Sequence, residues 1–365
     1  MVNRPFTPQE LISRKAELDQ ICQLFDQDRD FLLVGVPGIG RRTLIRAAAH
    51  RVGAKRLEID CLRCRSGGQF LRFLADGITE TFSTPAEQAL IQRWSIEHPL
   101  SLDQSLAPEV RLVWPDESGK EWLLFQALLA LPQQMAEWLN CQVVLVFSNF
   151  PHIRSWDRQG KWETYLRQEI QRQSRVSYVL IATMAEPWVH ESGLPVIHLP
   201  PLKNADLEAW VIQVMASEGL KFDPDTGALE LFLSYVQGHL GDAIALLQRL
   251  WLNHQAFGCK DSPGLIQAHH VQRSMLALVQ DLTVTFEALL LLLPPTQARV
   301  LESLSLDPTD SPQSQSYIKK HQLSRGGGLQ GALNSLEQKG LLYGPELRYR
   351  IALPLLDFWL RQRLT

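Results

Sequence analysis

The stretch that decides the fold is residues 31–43, which read FLLVGVPGIGRRT. Its first part, Phe31–Val34, is a short and wholly apolar run, as buried parallel strands are. A turn made largely of glycine and proline follows at Gly35–Gly40, and residues 43–52 form an alanine-rich segment with helical character. The stretch therefore predicts a strand, a glycine loop and a helix in succession.

The glycine spacing of this loop is that of the phosphate-binding pattern G-x-x-x-x-G-K-[S/T]. In that pattern backbone N–H groups converge on phosphate oxygens, the lysine reaches the outer phosphates and the hydroxyl binds Mg²⁺. Here Arg41 stands at the lysine position and Arg42 at the hydroxyl position. Arginine has no lone pair to offer a cation, and Thr43 lies about 100° further round the helix.

The loop is thus predicted to bind a nucleotide phosphate without a magnesium ligand, and a plain tight turn that binds nothing is the alternative. The residues predicted to contact the nucleotide are Gly35, Pro37, Gly38, Ile39, Gly40, Arg41, Arg42 and Thr43.

Strand-like and helix-like segments alternate along the first 200 residues. Further strands are predicted at residues 55–60, 142–147, 177–183 and 195–199, and helices at residues 11–26, 69–80, 121–140 and 161–173. Residues 81–118 are rich in proline and are predicted to be an insertion with short helices. Apolar strands that alternate with helices indicate an α/β fold, with a parallel sheet covered on both faces.

The strand at residues 142–147 is the one expected to carry the acidic groups of an ATPase. Enzymes with this loop place an aspartate that holds Mg²⁺ after such a strand, and hydrolytic ones follow it with a glutamate. Ser148 and Asn149 occupy these two positions, so both carboxylates are absent. Asp157 and Glu163 lie too far along the chain to replace them. Thr183 follows the next strand, where a polar residue senses the γ-phosphate or simply ends the strand.

After residue 200 the strands are predicted to stop. Helices are predicted at residues 206–218, 225–236 and 241–254, the last capped by Asp242, and at 267–293 with a break near Asp281. The C-terminal pattern of three helices, two strands at residues 340–344 and 347–352, and a final helix is that of a winged helix. The predicted domains are residues 1–200, with the insertion at 81–118, then a helical lid at 201–293 and a winged-helix domain at 294–365.

Composition limits the class of protein. The chain has 365 residues, a net charge of −3 and 45% hydrophobic residues, which is typical of soluble globular proteins. No apolar run reaches the roughly 20 residues of a membrane span, and the N-terminus has no apolar signal segment. The cysteine pair Cys61 and Cys64 supplies too few ligands for zinc. A cytoplasmic location without membrane insertion is predicted, and the ten tryptophans are expected to serve mainly in packing.

Taken in order, these motifs resemble those of the AAA+-related STAND and archaeal-type ATPases, which in turn resemble origin-recognition initiators. The segments that carry the resemblance are residues 12–18 (ISRKAEL), 35–43, 143–149, 199–202 (LPPL), 237–242 (QGHLGD) and 333–341 (LNSLEQKGL). The resemblance implies a P-loop NTPase core of the AAA+ type, a helical lid and a winged helix. The chain departs from the family at the lysine, the hydroxyl and both acidic residues, and Ile244 stands where initiators have a sensor arginine.

These departures favour a regulatory or scaffolding protein that holds ATP or ADP without efficient hydrolysis, binds a protein partner and forms an oligomer. One alternative is an active ATP-dependent switch that takes a carboxylate from elsewhere. Another is a winged-helix DNA-associated regulator or transposition-type adaptor. Its candidate phosphate-contacting residues are Lys319, Lys320, His321, Arg325, Lys339, Arg348 and Arg350.

Overall fold

Two units make up the fold of the residues that the computed structural model describes, which are Phe6 and residues 11–103, 110–115, 121–170, 172, 174–257, 264–324 and 326–365. The first unit comprises Arg14–Val34 and Arg41–His198. The second comprises Met1–Ser13, Gly35–Gly40 and Leu199–Thr365. The glycine loop is therefore grouped with the C-terminal half of the chain, although it follows a strand of the first unit.

The first unit is built on a parallel sheet. Its strands are β1 (Phe31–Val34), β2 (Lys55–Asp60), β3 (Ser101–Asp103), β4 (Arg111–Val113), β5 (Val143–Ser148), β6 (Val176–Ala182) and β7 (Val196–His198). Five of them pair in the order β2-β5-β6-β1-β7, and every pair is parallel. All residues of β1, β5 and β6 are buried, which explains their largely apolar sequences. The predicted parallel α/β sheet is confirmed.

Seven helices accompany these strands in the described part of the first unit. They are α1 (Lys15–Asp26), α2 (Arg41–Arg51), α3 (Gly67–Thr81), α4 (Pro85–Ser95), α5 (Glu121–Leu139), α6 (Lys161–Glu169) and α7 (Pro187–Ser192). Because the carboxyl ends of parallel strands share one edge, the residues that follow β2, β5 and β6 lie side by side.

The proline-rich insertion contains more than the short helices predicted for it. Helix α4 begins with a capping box, in which the Thr84 hydroxyl accepts from the Glu87 N–H and the Glu87 carboxylate accepts from the Thr84 N–H. Strands β3 and β4 then pair as an antiparallel hairpin. Residues 104–109 and 116–118 of the insertion lie outside the described part of the chain.

Aromatic side chains fill the core beside α3, α5 and α6. Phe70 stacks on Phe147 of β5, with ring centroids 6.0 Å apart, and meets the ring of Trp156 at 5.6 Å. Trp162 packs against Phe125 with centroids 4.5 Å apart. The packing role predicted for these tryptophans is what the structure shows.

The cysteine pair lies in a short 3₁₀ turn directly after β2. Both Cys61 and Cys64 are buried. Burial raises the pKa of the Cys64 thiol to about 11 and that of Cys61 well above its usual value. High thiol pKa values and burial are typical of structural rather than reactive cysteines.

The second unit is mainly helical. Its elements are α8 (Asn204–Ser217), β8 (Lys221–Phe222), α9 (Ala228–Val236), α10 (Leu240–Phe257), β9 (Leu265–Ile266), α11 (Ala268–Leu292), α12 (Pro295–Leu306), α13 (Gln315–His321), α14 (Gly327–Gln338) and α15 (Pro354–Leu364). Strands β8 and β9 form a short parallel pair, so the prediction that strands end at residue 200 is wrong.

Helix α11 runs unbroken through Asp281, where the sequence predicted an interruption. Asp281 lies on the exposed side of the helix and its carboxylate pairs with Arg249 of α10 at 2.8 Å, so the helix tolerates it. Among the described residues, α11 is also the one helix long and apolar enough to cross a membrane by composition, with 22% of its most apolar window buried. Its buried positions, such as Met275 and Phe286, belong to the core of the second unit.

The predicted strands of the wing are reduced to one bridge between Leu342 and Ile351. Pro345 opens a 3₁₀ turn between them, and Arg348 and Tyr349 have positive φ values of 64° and 36°. Neither feature fits a regular ladder, so the prediction of two full strands at residues 340–344 and 347–352 is wrong.

Candidate functional site

The glycine loop is held by the turn at residues 239–242, where α10 begins. The Nε2 atom of His239 donates to the Pro37 carbonyl at 2.8 Å, and the Gly241 N–H donates to the Gly38 carbonyl at 2.9 Å. Gly38 has φ +88°, and a Cβ atom there would lie 2.6 Å from Cε1 of His239. The loop therefore needs glycine at this position for its conformation and for the approach of the imidazole.

Two loop carbonyls are thus engaged by donors from one turn. Phosphate-binding loops present their N–H groups to the ligand, which requires the carbonyls to point elsewhere. His239 and Gly241 fix the carbonyls of Pro37 and Gly38 in this way. The sequence prediction included the loop residues but neither of these two, because about 200 residues of chain separate the turn from the loop.

Asp242 connects the same turn to the C-terminal helix. Its Oδ1 atom lies 3.0 Å from Nδ1 of His239, and its Oδ2 atom accepts from the Leu355 N–H at 3.0 Å. Leu355 is in the first turn of α15, whose N-terminus has no capping side chain of its own. The prediction that Asp242 caps its own helix is wrong, since it lies inside α10 and caps α15 instead.

The environment of His239 favours its protonated form. Burial of the ring opposes protonation, but the hydrogen bond and negative charge of Asp242 and the bond to Pro37 outweigh it, so the pKa of His239 is raised. A raised pKa in the folded state stabilises the fold below the unfolded value of about 6.5. That contribution is lost as the pH rises through the folded pKa.

We therefore expect the melting temperature of the wild type to fall relative to that of His239→Gln as the pH rises from about 6.5, the unfolded value, through the raised pKa of His239. Glutamine keeps a donor for Pro37 but has no titration in this range. The measurement is a series of thermal melts of both proteins in matched buffers. Parallel curves for the two proteins across this range would contradict the expectation.

An ion-pair network occupies the sheet edge where magnesium ligands would stand. The Nε atom of Arg42, at the hydroxyl position of the loop pattern, contacts the Glu58 carboxylate, which also pairs with Arg56. The Ser148 hydroxyl donates to Glu58 at 3.0 Å. Arg42, Glu58 and Ser148 come from α2, β2 and the end of β5, so the structure brings two of the predicted site residues together through an unpredicted third.

Asn149, at the second acidic position, also contacts a carboxylate of β2. The Asn149 side chain donates to Asp60 at 2.9 Å, and Asp60 also accepts from the Leu62 N–H at 3.1 Å. Asn149 has φ 54° and ψ 42°, the left-handed region that asparagine adopts more readily than glutamate. Carboxylates are therefore present at this edge, but they come from β2 and are engaged by Arg42, Ser148 and Asn149.

Arg41 is directed at the neighbouring strand. Its guanidinium donates to the Ala182 carbonyl at 3.1 Å, at the end of β6 and directly before Thr183. Burial and the nearby charge of Arg42 lower the pKa of Arg41 to about 10, which still leaves it protonated at neutral pH. The structure thus places Arg41 beside the residue predicted to sense the γ-phosphate, whereas Thr43 is exposed on α2.

Asp157 and Glu163 have structural roles. The Asp157 carboxylate accepts from the backbone N–H groups of residues 161, 162 and 163 and so caps α6. Glu163 pairs with Arg154 and Arg167. Within the described ranges, no three His, Cys, Asp or Glu side chains group as metal ligands.

The Ser148→Asp variant should be less stable than the wild type by about 1 to 3 kcal/mol. The new carboxylate would stand beside Glu58, where a hydroxyl now donates at 3.0 Å, and the two like charges would repel. Ser148→Asn is the neutral control of the same size, and adding Glu58→Gln should recover the loss. Equal melting temperatures for the Asp and Asn variants would contradict this prediction.

The parallel five-stranded sheet and the glycine loop between β1 and α2 belong to an α/β fold of the AAA+ type. Residues 10–181 match the AAA ATPase domain, and residues 284–362 match a domain described as "Probable winged helix domain". The chain carries an AAA ATPase domain and a C-terminal winged helix domain. No curated protein matches the sequence.

Solved structures resemble the chain over nearly its whole length. A Walker-type ATPase of Pyrococcus abyssi has 15% identity and a TM-score of 0.68, with 98% of this chain and 99% of that chain covered. The Aeropyrum pernix ORC1 protein in complex with DNA has 15% identity and a TM-score of 0.51, covering 98% and 96%. The Aeropyrum pernix ORC2 protein in ADPNP–ADP complexes has 15% identity and a TM-score of 0.50, covering 99% and 98%.

Proposed function

We propose that this protein is a STAND-type regulatory or scaffolding module that binds ATP or ADP and hydrolyses it poorly. The predicted loop residues, Gly35 to Thr43, form the phosphate site, and Thr183 senses the terminal phosphate. Ser148 and Asn149 replace the acidic pair of a working enzyme. The AAA ATPase domain match and the ADPNP–ADP complexes of one structural relative support nucleotide binding.

The single observation that carries the proposal is the contact between Arg42 and Glu58. A guanidinium sits at the position that contributes a magnesium ligand in active enzymes, and its Nε atom pairs with a carboxylate. Its charge and donors suit phosphate oxygens directly, without a bridging cation. The Arg42 side chain is 56% exposed and uses Nε for the ion pair, which supports a role for its terminal nitrogens in phosphate binding.

The proposal is tested by measuring nucleotide binding and turnover on the same preparation. We expect a fluorescent ADP analogue to bind, Arg41→Ala and Arg42→Ala each to weaken binding about 10-fold or more, and ATP turnover to stay near background. Arg46→Ala, on the exposed side of α2, is the control for removing one arginine from this helix. Fast turnover that needs Mg²⁺ would contradict the proposal.

An active ATPase with a nonstandard site is the second candidate, because Glu58 and Asp60 place two carboxylates in contact with Ser148 and Asn149. In that case a moving Arg42 would release Glu58 to a cation. Glu58→Gln separates the two candidates. It should abolish Mg²⁺-dependent turnover if Glu58 binds the metal, and change nucleotide binding only modestly if the proposal is right.

We further propose that the chain acts through a protein partner and as an oligomer in the cytoplasm, without membrane insertion. Exposed apolar side chains at the end of α11 support a protein partner: Val284, Leu291 and Leu292 are 76%, 86% and 84% exposed. In this proposal the core comprises residues 1–200, the lid residues 201–293 and the winged helix residues 294–365.

DNA binding through the winged helix is a further candidate role, supported by the relative in complex with DNA. Lys319 and Lys320 lie in the last turn of α13, but Lys320 and His321 both pair with Asp307. Arg325 lies outside the described residues. Gel-shift affinity that falls steeply with salt and is lost in Lys319→Ala/Lys320→Ala would support this role, and no shift at low salt would remove it.

A further inference from the structure

We propose that His239 is a positioning residue for the phosphate loop, and that Asp242 orients His239 and also binds the first turn of α15. The inference rests on the proposed nucleotide site and adds residues that its sequence pattern does not contain. It follows from one continuous set of contacts within the second unit, which runs from Pro37 through His239 and Asp242 to Leu355.

The contact with the loop determines which proton His239 carries. Nε2 lies 2.8 Å from a carbonyl oxygen, which accepts only, so this nitrogen must carry a hydrogen. Nδ1 then has two partners within reach, the Asp242 N–H at 3.1 Å and the Asp242 carboxylate at 3.0 Å. Neutral histidine accepts from the first and protonated histidine donates to the second. In both forms the bond to the loop is kept, and Asp242 orients the ring.

The His239 ring can contact Pro37 only when the loop has its present conformation, because the ring packs directly against Gly38. His239 is buried, and its Cε1 atom fills the space in which a Gly38 side chain would begin. The neighbouring Gly241 N–H holds the next carbonyl, so the loop has two adjacent anchors on one turn. Removing the imidazole leaves the Pro37 carbonyl without its donor and opens a gap beside Gly38, and the loop N–H groups lose their fixed direction.

At α15, Asp242 binds a backbone N–H group that has no partner within its own helix. Leu355 follows Pro354 at the start of α15, where the first N–H groups of a helix have no partner within it. Asp242 Oδ2 supplies that partner while Oδ1 faces His239. One carboxylate therefore orients the residue that positions the loop and caps the last helix of the winged helix domain.

Hydrogen exchange of the unliganded full chain tests the proposal without relying on nucleotide. We expect His239→Ala to speed amide exchange in peptides covering residues 35–44 about 10-fold or more, and His239→Gln, which keeps a donor, to restore most of the protection. Asp242→Ala should speed exchange both there and at residues 353–358. His254→Ala, at the other end of α10, is the matched control and should change neither peptide.

Nucleotide affinity of the same variants gives the second readout. His239→Ala should weaken binding of the fluorescent ADP analogue about 10-fold, with recovery in His239→Gln. If the wild type binds no nucleotide but the exchange pattern holds, the proposed function fails and the positioning role stands. Unchanged exchange of residues 35–44 in His239→Ala, or protection at residues 353–358 that survives Asp242→Ala, would overturn the inference.

Discussion

The quadruple variant Arg41→Lys, Arg42→Thr, Ser148→Asp and Asn149→Glu should hydrolyse ATP in a Mg²⁺-dependent reaction about 100-fold faster than the wild type or more. The substitutions return the lysine, the metal-binding hydroxyl, the metal-binding carboxylate and the residue that orients water. They act at the sheet edge where Arg42, Glu58 and Ser148 now form one network. Removing Arg42 takes a positive charge from the place where the cation should bind.

Two local effects limit the expected gain in the rate of ATP hydrolysis. The new aspartate faces Glu58, and the bound cation has to offset that repulsion, so the variant should be stabilised by Mg²⁺. Residue 149 has left-handed backbone dihedrals, which cost glutamate about 1 kcal/mol more than asparagine. We therefore expect a protein that melts below the wild type without Mg²⁺ and recovers when it is added.

The matched control carries Gln instead of Glu at position 149, with the other three substitutions unchanged. It should bind ATP with Mg²⁺ and fail to hydrolyse it, because an amide cannot take a proton from water. Steady-state phosphate release measures both proteins. If the wild type already hydrolyses ATP as fast as the quadruple variant, the natural site is complete, and the proposal that it hydrolyses ATP poorly is contradicted.

The Gly38→Ala variant should lower nucleotide affinity about 30-fold or more. Gly38 has φ +88°, which strains any L-residue, and its new methyl group would lie 2.6 Å from Cε1 and 2.7 Å from Nε2 of His239. Either the imidazole or the loop has to move. Both movements break the hydrogen bond from His239 to Pro37, so the loop loses the orientation that phosphate binding needs.

Gly53→Ala separates backbone strain from steric clash as causes of the expected loss of affinity. Gly53 has φ +71°, and no atom lies within 4 Å of the position that an alanine methyl group would take there, so this variant carries the backbone strain without a steric clash. It should lower the melting temperature slightly and leave affinity unchanged. In a His239→Ala background, Gly38→Ala should cost clearly less than in the wild type, since the clash is removed. Equal costs in the two backgrounds would mean that the imidazole does not shape the loop.

Local sequence patterns were sufficient for the fold of the first unit. Largely apolar runs of four to seven residues predicted β1, β5 and β6, because fully buried parallel strands have no polar face. The strands β2 and β7, which are only partly buried, were predicted as well. Prediction was weaker where long-range contacts decide the structure. Asp281 lies within an unbroken helix and pairs with Arg249 of another helix, and β8 pairs with β9 across some 40 residues of sequence.

The same limit explains what was missed at the candidate site. The motif spacing identified Arg42 and Ser148 as departures, but Glu58 lies on β2, and only the pairing of β2 with β5 brings its carboxylate to them. His239 lies in the segment 237–242 that carries part of the family resemblance, but about 200 residues separate it from the loop, and its contact with Pro37 was not predicted. In similar chains, the signal to look for is a charged residue on the strand that pairs with the strand whose acidic residues are missing.

If arginine side chains replace the lysine and magnesium at this site, ADP should bind with nearly equal dissociation constants in Mg²⁺ and in EDTA, as measured by calorimetry. We expect a clear preference for Mg²⁺ only after Arg42→Thr and Ser148→Asp are introduced together. Binding by the wild type that is tenfold or more tighter in Mg²⁺ would contradict it.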